Sequence, residues 1–429
     1  MKEYIEEFEY RDALFVVTEK CINQNGKPRY YITDDFKDIE KTIAKIEDWK
    51  KKNDAEFSGI IGIDDDEKFI SAIKIAEHFH LNFLSRETGI ISSNKFIMKE
   101  QFVKNNVPSG KFALVRDGNE KEIDNIPFPN VLKILSGNGT EFVFLNKNME
   151  ELMNNVKCIK RNLDNFIKDE IDYSIWFDKI EFEGRTVDPK QEFLVEEYLN
   201  GDEYSCDFVL YKNKIKIIRI AKKYKSPYFG YILAYQLLNK SSIKYYKLKV
   251  NELKKICGNI AKALMISNYK CPCMVDFMVV NGEIKIIETS ARPGMGSFVP
   301  MMRKIYGYTS ISVLYNLVAK KGFNFKIPKE EGLVVNIFAE KEGKINKFNI
   351  GDFSDYKNKF QLINKTLYFK EGDSVKKGET DYWGLEVGRL SIEIMRKGIG
   401  FVSFNFLRKN YVKNILDLIK EKTILEIEK

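Results

Sequence analysis

Short β-rich runs alternate with helical patterns at the start of the chain, and this order restricts the fold strongly. Leu14–Val17 and Gly59–Ile63 have the composition of short buried strands, and the second precedes a helical pattern from Glu67 to Phe79. Alternation of strand, turn and helix predicts a small α/β unit over about the first 90 residues. The chain has 429 residues. At about 150 residues per domain, it has room for roughly three units.

The composition is that of a folded protein, with 44% hydrophobic and 31% charged residues. No apolar stretch is long enough to span a bilayer. The segment from Met1 to Tyr10 contains four glutamates where a secretory signal needs a basic end and an apolar run. We therefore expect a cytoplasmic protein with no membrane partner. The net charge of +8 is spread along the chain, so no nucleic-acid partner is expected.

Histidine is scarce, and its scarcity excludes several kinds of enzyme. The two histidines, His78 and His80, lie at the end of one predicted helix, which leaves almost no room for a zinc hydrolase or a Ser-His-Asp triad elsewhere. Of the six cysteines, only Cys271 and Cys273 are close in sequence, and they lack the C-x-x-C spacing of zinc and redox sites. We expect reduced thiols, and a chemistry that uses carboxylates, lysines, arginines and backbone groups.

A second unit is predicted to begin near residue 93. Ser92-Ser93-Asn94 supplies helix-capping side chains, and a helix is predicted from Lys95 to Asn106, before Pro108. Further elements are predicted as strands at Phe193–Tyr198, Tyr204–Tyr211 and Ile215–Ile220 and a helix at Asn251–Met265. The chain beyond Gly332 is β-rich again and predicts a third unit. Turns are indicated there at Glu342-Gly343 and Glu371-Gly372-Asp373.

The first candidate for chemistry is Lys133 beside the loop Ser136–Thr140. Two β-rich runs between Pro127 and Leu145 flank this loop, which predicts a hairpin. Small residues allow backbone N–H groups to approach phosphate oxygens, and a lysine on the adjoining strand would add a positive charge. The order of lysine and glycines differs from that of a Walker A loop. An ordinary hairpin turn is the alternative interpretation.

The second candidate is the pair Asp276 and Glu288, on predicted strands Met274–Val280 and Ile284–Glu288 that flank Asn281-Gly282. A regular hairpin with a two-residue turn would place the carboxylates on opposite faces. A three-residue loop or one β-bulge would place them opposite each other on one face. Two carboxylates in that arrangement suit magnesium. The alternative is a pair of solvent-facing strand residues.

The third candidate is the end of the second of these strands, where Glu288, Ser290 and Arg292 alternate along the chain. Alternate residues of a strand share a face, so three polar groups would lie together before a loop. Gly294-x-Gly296 lacks the third glycine of a dinucleotide fingerprint. A separate segment, Ala221–Tyr231, mixes cations and aromatic residues and is predicted to be a loop. It would act as a lid, recognise a carboxylate substrate, or be a solvated basic loop.

Together these residues resemble the ATP-grasp superfamily, in particular its carboxylate-amine ligases. The similarity runs in order from about residue 60 to about residue 320. It implies an α/β (α+β) ATP-grasp fold. The implied parts are a Rossmann-like pre-ATP-grasp domain at 1–92, an ATP-binding and catalytic domain at 93–330 with a hairpin lid at about 108–198, and a β-rich C-terminal subdomain at 331–429. The tail with Glu371-Gly372-Asp373 resembles the C-terminal subdomain of amino-acid ligases.

The resemblance implies a nucleotide site. Lys95 and Lys133 resemble the two lysines of the family, and the loop that follows Lys133 resembles the loop that covers the phosphates. Phe193–Tyr204 resembles the hinge that holds adenine, with Glu203 as the ribose contact. The implied ATP-binding residues are Lys95, Lys133, Ser136, Gly137, Gly139, Thr140, Glu196, Glu197, Tyr198, Leu199 and Glu203. The loop departs from the family because Glu141-Phe142 follows Thr140 where a small residue and glycine are usual.

The resemblance also implies a metal site and a catalytic pair. Asp276, Glu288 and Ser290 fall where the family places ligands for magnesium or manganese. Arg292 falls where the family places the arginine that steadies the reacting group, so Glu288 and Arg292 are the implied catalytic residues. The family usually has asparagine at the position of Ser290. A hydroxyl is a poorer magnesium ligand than an amide carbonyl.

The implied reaction is formation of an amide bond between a carboxylate, an amino acid by expectation, and an amine. ATP first phosphorylates the carboxylate, and an amine then displaces phosphate from the acyl phosphate. The expected partners are these small molecules and a second copy of the chain in a homodimer. Two alternatives stay open: another ATP-grasp reaction, such as carboxylation or a step of purine synthesis, and a nucleotide-binding regulatory protein without turnover.

Overall fold

The computed structural model of the protein describes most of the chain. The described residues are 13–17, 23, 28–34, 38–61, 69–116, 123–137, 142–169, 177–226, 232–266, 272–294, 298–319, 321–339, 342–356, 360–367, 369–375, 400–406 and 412–428.

The N-terminal part is a small α/β unit. Its elements are β1 (Leu14–Val17), β2 (Tyr30–Thr33), α1 (Ile39–Lys52) and α2 (Phe69–His78). The two strands pair in parallel, and α1 is capped by Asp38, whose carboxylate accepts a hydrogen bond from the backbone N–H of Lys41. Ile43 and Ile46 of α1 and Ile75 of α2 form a buried cluster. The predicted strand Leu14–Val17 is confirmed as β1 and the predicted helix near residues 67–79 as α2, but the described elements run strand, strand, helix, helix and do not alternate.

The strand predicted at Gly59–Ile63 is wrong for residues 59–61, which are not part of a sheet. Residues 62 and 63 lie outside the described part. Ile60 and Ile61 are half-buried and pack against neighbouring hydrophobic clusters. Their apolar character therefore reflects side-chain packing, which a strand pattern alone does not distinguish from pairing in a sheet.

The next part builds a small antiparallel sheet. Its elements are α3 (Arg86–Ser93), α4 (Lys95–Lys104), β3 (Phe112–Val115), β4 (Asn130–Ile134), β5 (Phe144–Asn146), α5 (Met149–Asp169), β6 (Ile180–Phe182), β7 (Arg185–Val187) and β8 (Phe193–Glu197). The strand order is β3-β8-β4-β5, and β6 and β7 form a separate pair. The predicted hairpin is present, with Leu132 of β4 opposite Phe144 of β5. Helix α5 packs through a stripe of fully buried residues, Leu152, Val156, Ile159 and Leu163.

The remainder of the chain builds a large sheet. Its elements are β9 (Asp202–Tyr211), β10 (Lys214–Lys225), β11 (Ile232–Leu237), α6 (Lys240–Tyr245), α7 (Val250–Ala263), β12 (Cys273–Val280), β13 (Glu283–Ser290), α8 (Phe298–Tyr306), α9 (Ser310–Val318), β14 (Glu331–Ile337), β15 (Gly343–Ile350), β16 (Phe360–Leu367), β17 (Ser374–Val375), β18 (Gly400–Phe406), α10 (Val412–Lys422) and β19 (Thr423–Glu428). Eight strands pair in the order β13-β12-β9-β10-β11-β14-β18-β16. A second, three-stranded sheet has the order β17-β15-β19. The β-rich character predicted for the tail is confirmed, and three of its strands extend the large sheet.

The two faces of the large sheet have different roles. On β9, Tyr204, Cys206 and Phe208 point into the main hydrophobic core, which includes Leu253 and Cys257 of α7. The alternate residues Glu203, Ser205 and Asp207 lie on the other face, opposite Lys223, Ala221 and Arg219 of β10. That face carries the candidate site. None of the described helices is long and apolar enough to cross a membrane.

Candidate active site

Lys133, Glu196 and Lys99 form a buried triad in the small sheet. Lys133 lies on β4 and Glu196 on the adjacent β8, and Lys99 extends from α4. The Nζ atom of Lys133 is 2.6 Å from Glu196 Oε2, and the Nζ atom of Lys99 is 2.6 Å from Glu196 Oε1. Lys99 also donates a 3.3 Å hydrogen bond to the backbone oxygen of Ile286 on β13. One carboxylate thus joins a helix to two strands, and Lys99 links them to the large sheet.

The three charges of the triad shift one another's pKa values. Burial would raise the pKa of Glu196, but the ammonium groups of Lys133 and Lys99 outweigh burial and lower that pKa to about 2. Burial lowers the pKa of Lys99 by more than Glu196 raises it. Burial would also lower the pKa of Lys133, but Glu196 and Glu288 together raise it. Lys133 therefore keeps its positive charge at neutral pH.

Lys95 is placed by the cap of α4. The Asn94 side-chain oxygen accepts hydrogen bonds from the backbone N–H groups of Phe96 and Ile97, at 3.1 and 3.0 Å. Lys95, the first residue of the helix, donates from Nζ to the backbone oxygen of Gly137 at 2.7 Å. Lys95 is thereby tied to the start of the loop that follows β4. The predicted capping role of Asn94 is confirmed.

Only part of the predicted phosphate loop can be described. Ser136 is buried, and its hydroxyl has no hydrogen-bond partner among the described residues. Gly137 has a φ angle of 128°, a backbone conformation that glycine adopts without strain. Gly139 and Thr140 lie outside the described residues. Their role in nucleotide binding stays a prediction.

The β12–β13 hairpin brings Asp276 and Glu288 together. Val280 pairs with Glu283 across the two-residue turn, in which Asn281 and Gly282 have φ angles of 51° and 81°. This is the left-handed conformation that Asn-Gly favours. A register shift follows, so that Phe277 pairs with Ile286 but Asp276 pairs with Glu288. One β-bulge therefore places the carboxylates opposite each other, as the bulge alternative predicts.

Lys223 of β10 lies against these carboxylates. Its Nζ atom is 2.6 Å from Asp276 Oδ2 and 3.1 Å from Glu203 Oε1. Asp276 Oδ1 is buried and has no hydrogen-bond partner among the described residues. Burial raises the pKa of Asp276 and Lys223 lowers it, while Glu288 and Glu203 raise it further. The net pKa of Asp276 is raised.

Glu288 is surrounded by cations. Burial alone would raise its pKa, but the ammonium groups of Lys95, Lys133 and Lys223 outweigh burial and lower it. These three lysines come from α4, β4 and β10. The structure therefore brings residues of the helix, the small sheet and the large sheet to the same half-buried carboxylate.

Residues 197–199 continue from β8 toward the large sheet. The backbone N–H of Glu197 donates to the backbone oxygen of Lys111 at 2.9 Å, and its carboxylate accepts from the Lys111 N–H at 3.1 Å. The ring centroid of Tyr198 is 5.8 Å from Lys225 Nζ. Leu199 is half-buried. Glu203 then begins the polar face of β9. The predicted hinge residues thus lie between Glu196 and the cluster around Lys223.

Arg292 lies in a loop held by a buried ion pair. Its backbone oxygen accepts a 2.7 Å hydrogen bond from the Met274 N–H. Two residues later, the Gly294 N–H donates to Asp207 Oδ1 at 3.0 Å, and Asp207 makes two hydrogen bonds, of 2.9 and 3.0 Å, with Arg219. A side chain at position 294 would collide with the Arg219 guanidinium. Glycine is therefore required where the loop crosses this pair.

A divalent cation fits the residues at the end of the hairpin. Asp276 and Glu288 oppose each other, and Ser290 follows on the same strand, buried and paired with Met274. The unpartnered Asp276 Oδ1 is an oxygen ligand in need of a partner. No group of three histidine, cysteine, aspartate or glutamate ligands is found among the described residues. Magnesium suits a site with so few protein ligands, because it keeps water and substrate oxygens as further ligands.

Sequence reasoning missed Lys99, Lys223 and the pair Asp207–Arg219. Lys99 follows Lys95 by one helical turn, and that spacing puts both on one face of α4, which is a usable signal. Lys223 falls in the segment Ala221–Tyr231 that was predicted to be a loop. This prediction is wrong for residues 221–225, because β10 extends to Lys225. Residues 227–231 lie outside the described part.

The described cysteines Cys206, Cys257 and Cys273 belong to the hydrophobic core, and His78 lies in the N-terminal unit. His78 Nε2 is 2.8 Å from Glu47 Oε1 in the N-terminal unit. Cys206, Cys257 and Cys273 are buried, reduced thiols, and burial raises the pKa of Cys257 and Cys273. A raised thiol pKa leaves Cys257 and Cys273 protonated and poorly nucleophilic. Cys21 and Cys271 are not among the described residues.

The chain is similar to known proteins in its three-dimensional structure. No protein-family model and no curated protein matches the chain. An L-amino acid ligase from Bacillus licheniformis has a TM-score of 0.72 and 14% identity, over 100% of this chain and 97% of that chain. A phosphoribosylglycinamide synthetase from Anaerococcus prevotii has a TM-score of 0.63 and 18% identity, over 100% of this chain and 97% of that chain.

A third similar structure contains a nucleotide. It is a biotin carboxylase domain dimer from Hydrogenobacter thermophilus 2-oxoglutarate carboxylase, in complex with magnesium ADP, ADP and bicarbonate. Its TM-score is 0.61 at 13% identity, over 99% of this chain and 88% of that chain. At such low identities the similarity concerns the fold, and it extends over the whole chain. The α/β class and the fold predicted from the sequence are confirmed: this chain has the ATP-grasp fold.

Proposed function

We propose that the protein is an ATP-dependent ligase that joins a carboxylate, an amino acid in the first instance, to an amine. The observation that carries the proposal is the buried cluster in which Lys95, Lys133 and Lys223 surround Glu288 while Asp276 lies directly opposite it. Positive groups suited to phosphate oxygens and carboxylates suited to a divalent cation converge there. The similarity to an L-amino acid ligase favours the carboxylate-amine class.

Lys95 and Lys133 would bind the phosphates of ATP. Both ammonium groups lower the pKa of Glu288, so both lie close to the carboxylates of the hairpin. The backbone of residues 197–199 would hold adenine, and Glu203 at the start of β9 would contact the ribose. Glu196 has a different role in this proposal. Both of its carboxylate oxygens are bound to lysines, so its side chain fixes Lys133 while its backbone lies at the hinge.

Transfer of the γ-phosphate to the substrate carboxylate spreads negative charge over the phosphoryl oxygens. Lys133 and Lys95 would offset that charge from fixed positions, which requires no rearrangement during the reaction. Asp276, Glu288 and Ser290 would hold magnesium or manganese, which when bound neutralises phosphate charge. An acyl phosphate would also require the site to exclude water, which would otherwise hydrolyse it.

Arg292 would act in the second step. The amine attacks the acyl phosphate, and negative charge develops on the carbonyl oxygen of the tetrahedral intermediate. Arg292 is half-buried and lies in the loop that Asp207 anchors through Gly294. A fixed guanidinium there can stabilise the oxyanion until phosphate leaves. Asp207 and Arg219 are positioning residues in this scheme.

The test is ADP and phosphate release with ATP, magnesium and pooled amino acids, followed by mass spectrometry of the products. We expect release that depends on a particular acid and a product lighter by one water than its two parts. Glu288→Gln should lower the rate by at least about 100-fold, because it removes a charged oxygen ligand. Glu283→Gln, at an exposed position on the same strand, is the matched control and should retain the wild-type rate.

Other results would contradict the proposal in distinguishable ways. Release that requires bicarbonate and no amino acid would identify a carboxylation. Tight ADP binding without release from any substrate pool would favour a regulatory nucleotide-binding protein. An unchanged rate in Glu288→Gln would remove Glu288 from the site.

The proposal includes a homodimer that acts on small molecules. A dimer is present in one structure of the same fold. Light scattering of the purified chain tests this part of the proposal, and a mass equal to one chain of 50.1 kDa would contradict it.

A further inference from the structure

Lys223 occupies an unusual position for a cation in a site that is proposed to bind a metal. Its Nζ atom is 2.6 Å from Asp276 Oδ2, and Asp276 pairs directly with Glu288. A metal ligand is thus already neutralised by a protein side chain. The Lys223 side chain is 9% exposed, so water does little to weaken this ion pair.

Three carboxylates depend on this lysine for neutralisation. Lys223 contacts Asp276 and Glu203, and its charge also stabilises the ionised form of Glu288. Glu288 has Lys95 and Lys133 as further cations. For Asp276, in contrast, Glu288 and Glu203 both oppose ionisation, and Lys223 is the cation that favours it. Lys223 is thus the cation in direct contact with the Asp276 carboxylate in this structure.

We propose that Lys223 is an internal counterion that holds Asp276 in the metal-free protein and is displaced from it when a divalent cation binds. The unpartnered Asp276 Oδ1 gives the incoming cation a first oxygen before Oδ2 is released. The displaced ammonium keeps Glu203 as a partner, 3.1 Å away in the present arrangement. Metal binding thus makes a positive charge available for an anionic substrate group. This inference rests on the metal site of the proposed function.

The neighbouring lysine provides a matched control. Lys222 lies on the same strand but opposes Tyr204, on the other face of the sheet, whereas Lys223 opposes Glu203. Its Nζ atom is 2.9 Å from Asp202 Oδ2 and 4.4 Å from the centroid of the Tyr246 ring. Removal of either lysine changes the net charge of the chain equally. Only removal of Lys223 frees Asp276.

The experiment measures Mn²⁺ affinity by electron paramagnetic resonance, without nucleotide and at slightly alkaline pH, where carboxyl protonation competes least. Lys223→Met should bind Mn²⁺ about tenfold or more tightly than wild type, because a close competing charge is gone. Lys222→Met should bind Mn²⁺ as wild type does. Equal or weaker binding by Lys223→Met would overturn the inference. If Lys223→Met does not fold, the Mn²⁺ affinity of Lys223→Gln is measured in its place.

A second measurement uses the wild-type chain. Magnesium should increase acylation of Lys223 by an amine-reactive reagent, read by peptide mass spectrometry, and leave Lys222 unchanged. No increase at Lys223 in a protein that binds Mn²⁺ would overturn the inference while the proposed function stands. Failure of wild type to bind Mn²⁺ even with ADP would instead remove the proposed metal site and the inference with it.

Discussion

Glu196 shows how one side chain can serve both the stability of the fold and the arrangement of the site. It is buried, and each of its oxygens is 2.6 Å from a lysine nitrogen. The lysines come from a helix and from an adjacent strand, so the carboxylate fixes their relative positions. An ion pair of this kind is costly to break, because removal of one partner leaves the others charged and buried.

The lowered pKa of Glu196 predicts a specific pH dependence of stability. The pKa falls from 4.5 to about 2 on folding, so Glu196 stabilises the folded state fully above pH 4.5 and loses this effect as the pH falls toward 2. Glu196→Gln should therefore reduce the free energy of unfolding at neutral pH by on the order of 3 kcal/mol. Urea denaturation at several pH values measures the difference between variant and wild type.

The difference in the free energy of unfolding between Glu196→Gln and wild type should shrink as the pH falls. Glu197→Gln is the control, since Glu197 is only half-buried and its amide replacement can still accept a hydrogen bond from Lys111. A difference for Glu196→Gln that stays constant down to low pH would show that the ion pairs are not its cause.

Helix α4 connects the two halves of the proposed phosphate site. Lys95 at its first position reaches Gly137, and Lys99 one turn later reaches Glu196. Asn94 fixes where the helix starts, and its backbone N–H also bonds to Ile90 at the end of α3. The position of both lysines therefore depends on one cap.

Asn94→Ala should reduce the free energy of unfolding by about 1–2 kcal/mol, since two backbone N–H groups lose their acceptor. It should also weaken ADP binding, because Lys95 no longer starts a well-defined helix. Asn94→Asp retains the acceptor and should preserve both properties. Thermal unfolding and calorimetric titration with ADP measure the two effects. Wild-type ADP affinity in Asn94→Ala would show that the helix cap is not needed for nucleotide binding.

The fold could be predicted from the sequence because ordered motifs carry it, whereas the roles of the candidate site residues stay predictions. The Asn281-Gly282 turn and the strands beside it were predicted, but the bulge that pairs Asp276 with Glu288 was only one of the alternatives. A bulge depends on packing against β9, which one sequence does not display. Lys99 and Lys223 were missed for a similar reason: a lysine is normally exposed, and only tertiary contacts reveal its buried carboxylate partner.

The large sheet unites parts of the chain that are distant in sequence. β11 pairs with β14, which in turn pairs with β18, so the tail continues the sheet that carries Asp276 and Lys223. Leu333 and Val334 of β14 are fully buried. The domain boundary predicted at 330–331 falls immediately before a strand of this shared sheet.

Truncation after Glu330 should therefore destabilise the whole protein. It removes β14, β16 and β18 and uncovers the edge of β11 together with apolar side chains on both faces. We expect an insoluble product, or a soluble one that binds a hydrophobic dye and unfolds without cooperativity. A soluble truncated protein with wild-type thermal stability and ADP affinity would show the tail to be dispensable.

The pairing of β11 with β14 also has a consequence for synthesis on the ribosome. β11 ends at Leu237 and its partner begins at Glu331. At a synthesis rate of about 5–20 residues per second, the edge of β11 stays unpaired for roughly 5 to 20 s. The hairpin with both carboxylates is synthesised within this interval, while the sheet that supports it still has an unpaired side. Co-translational protection of that edge by a chaperone would determine how much of the newly made protein reaches the native state.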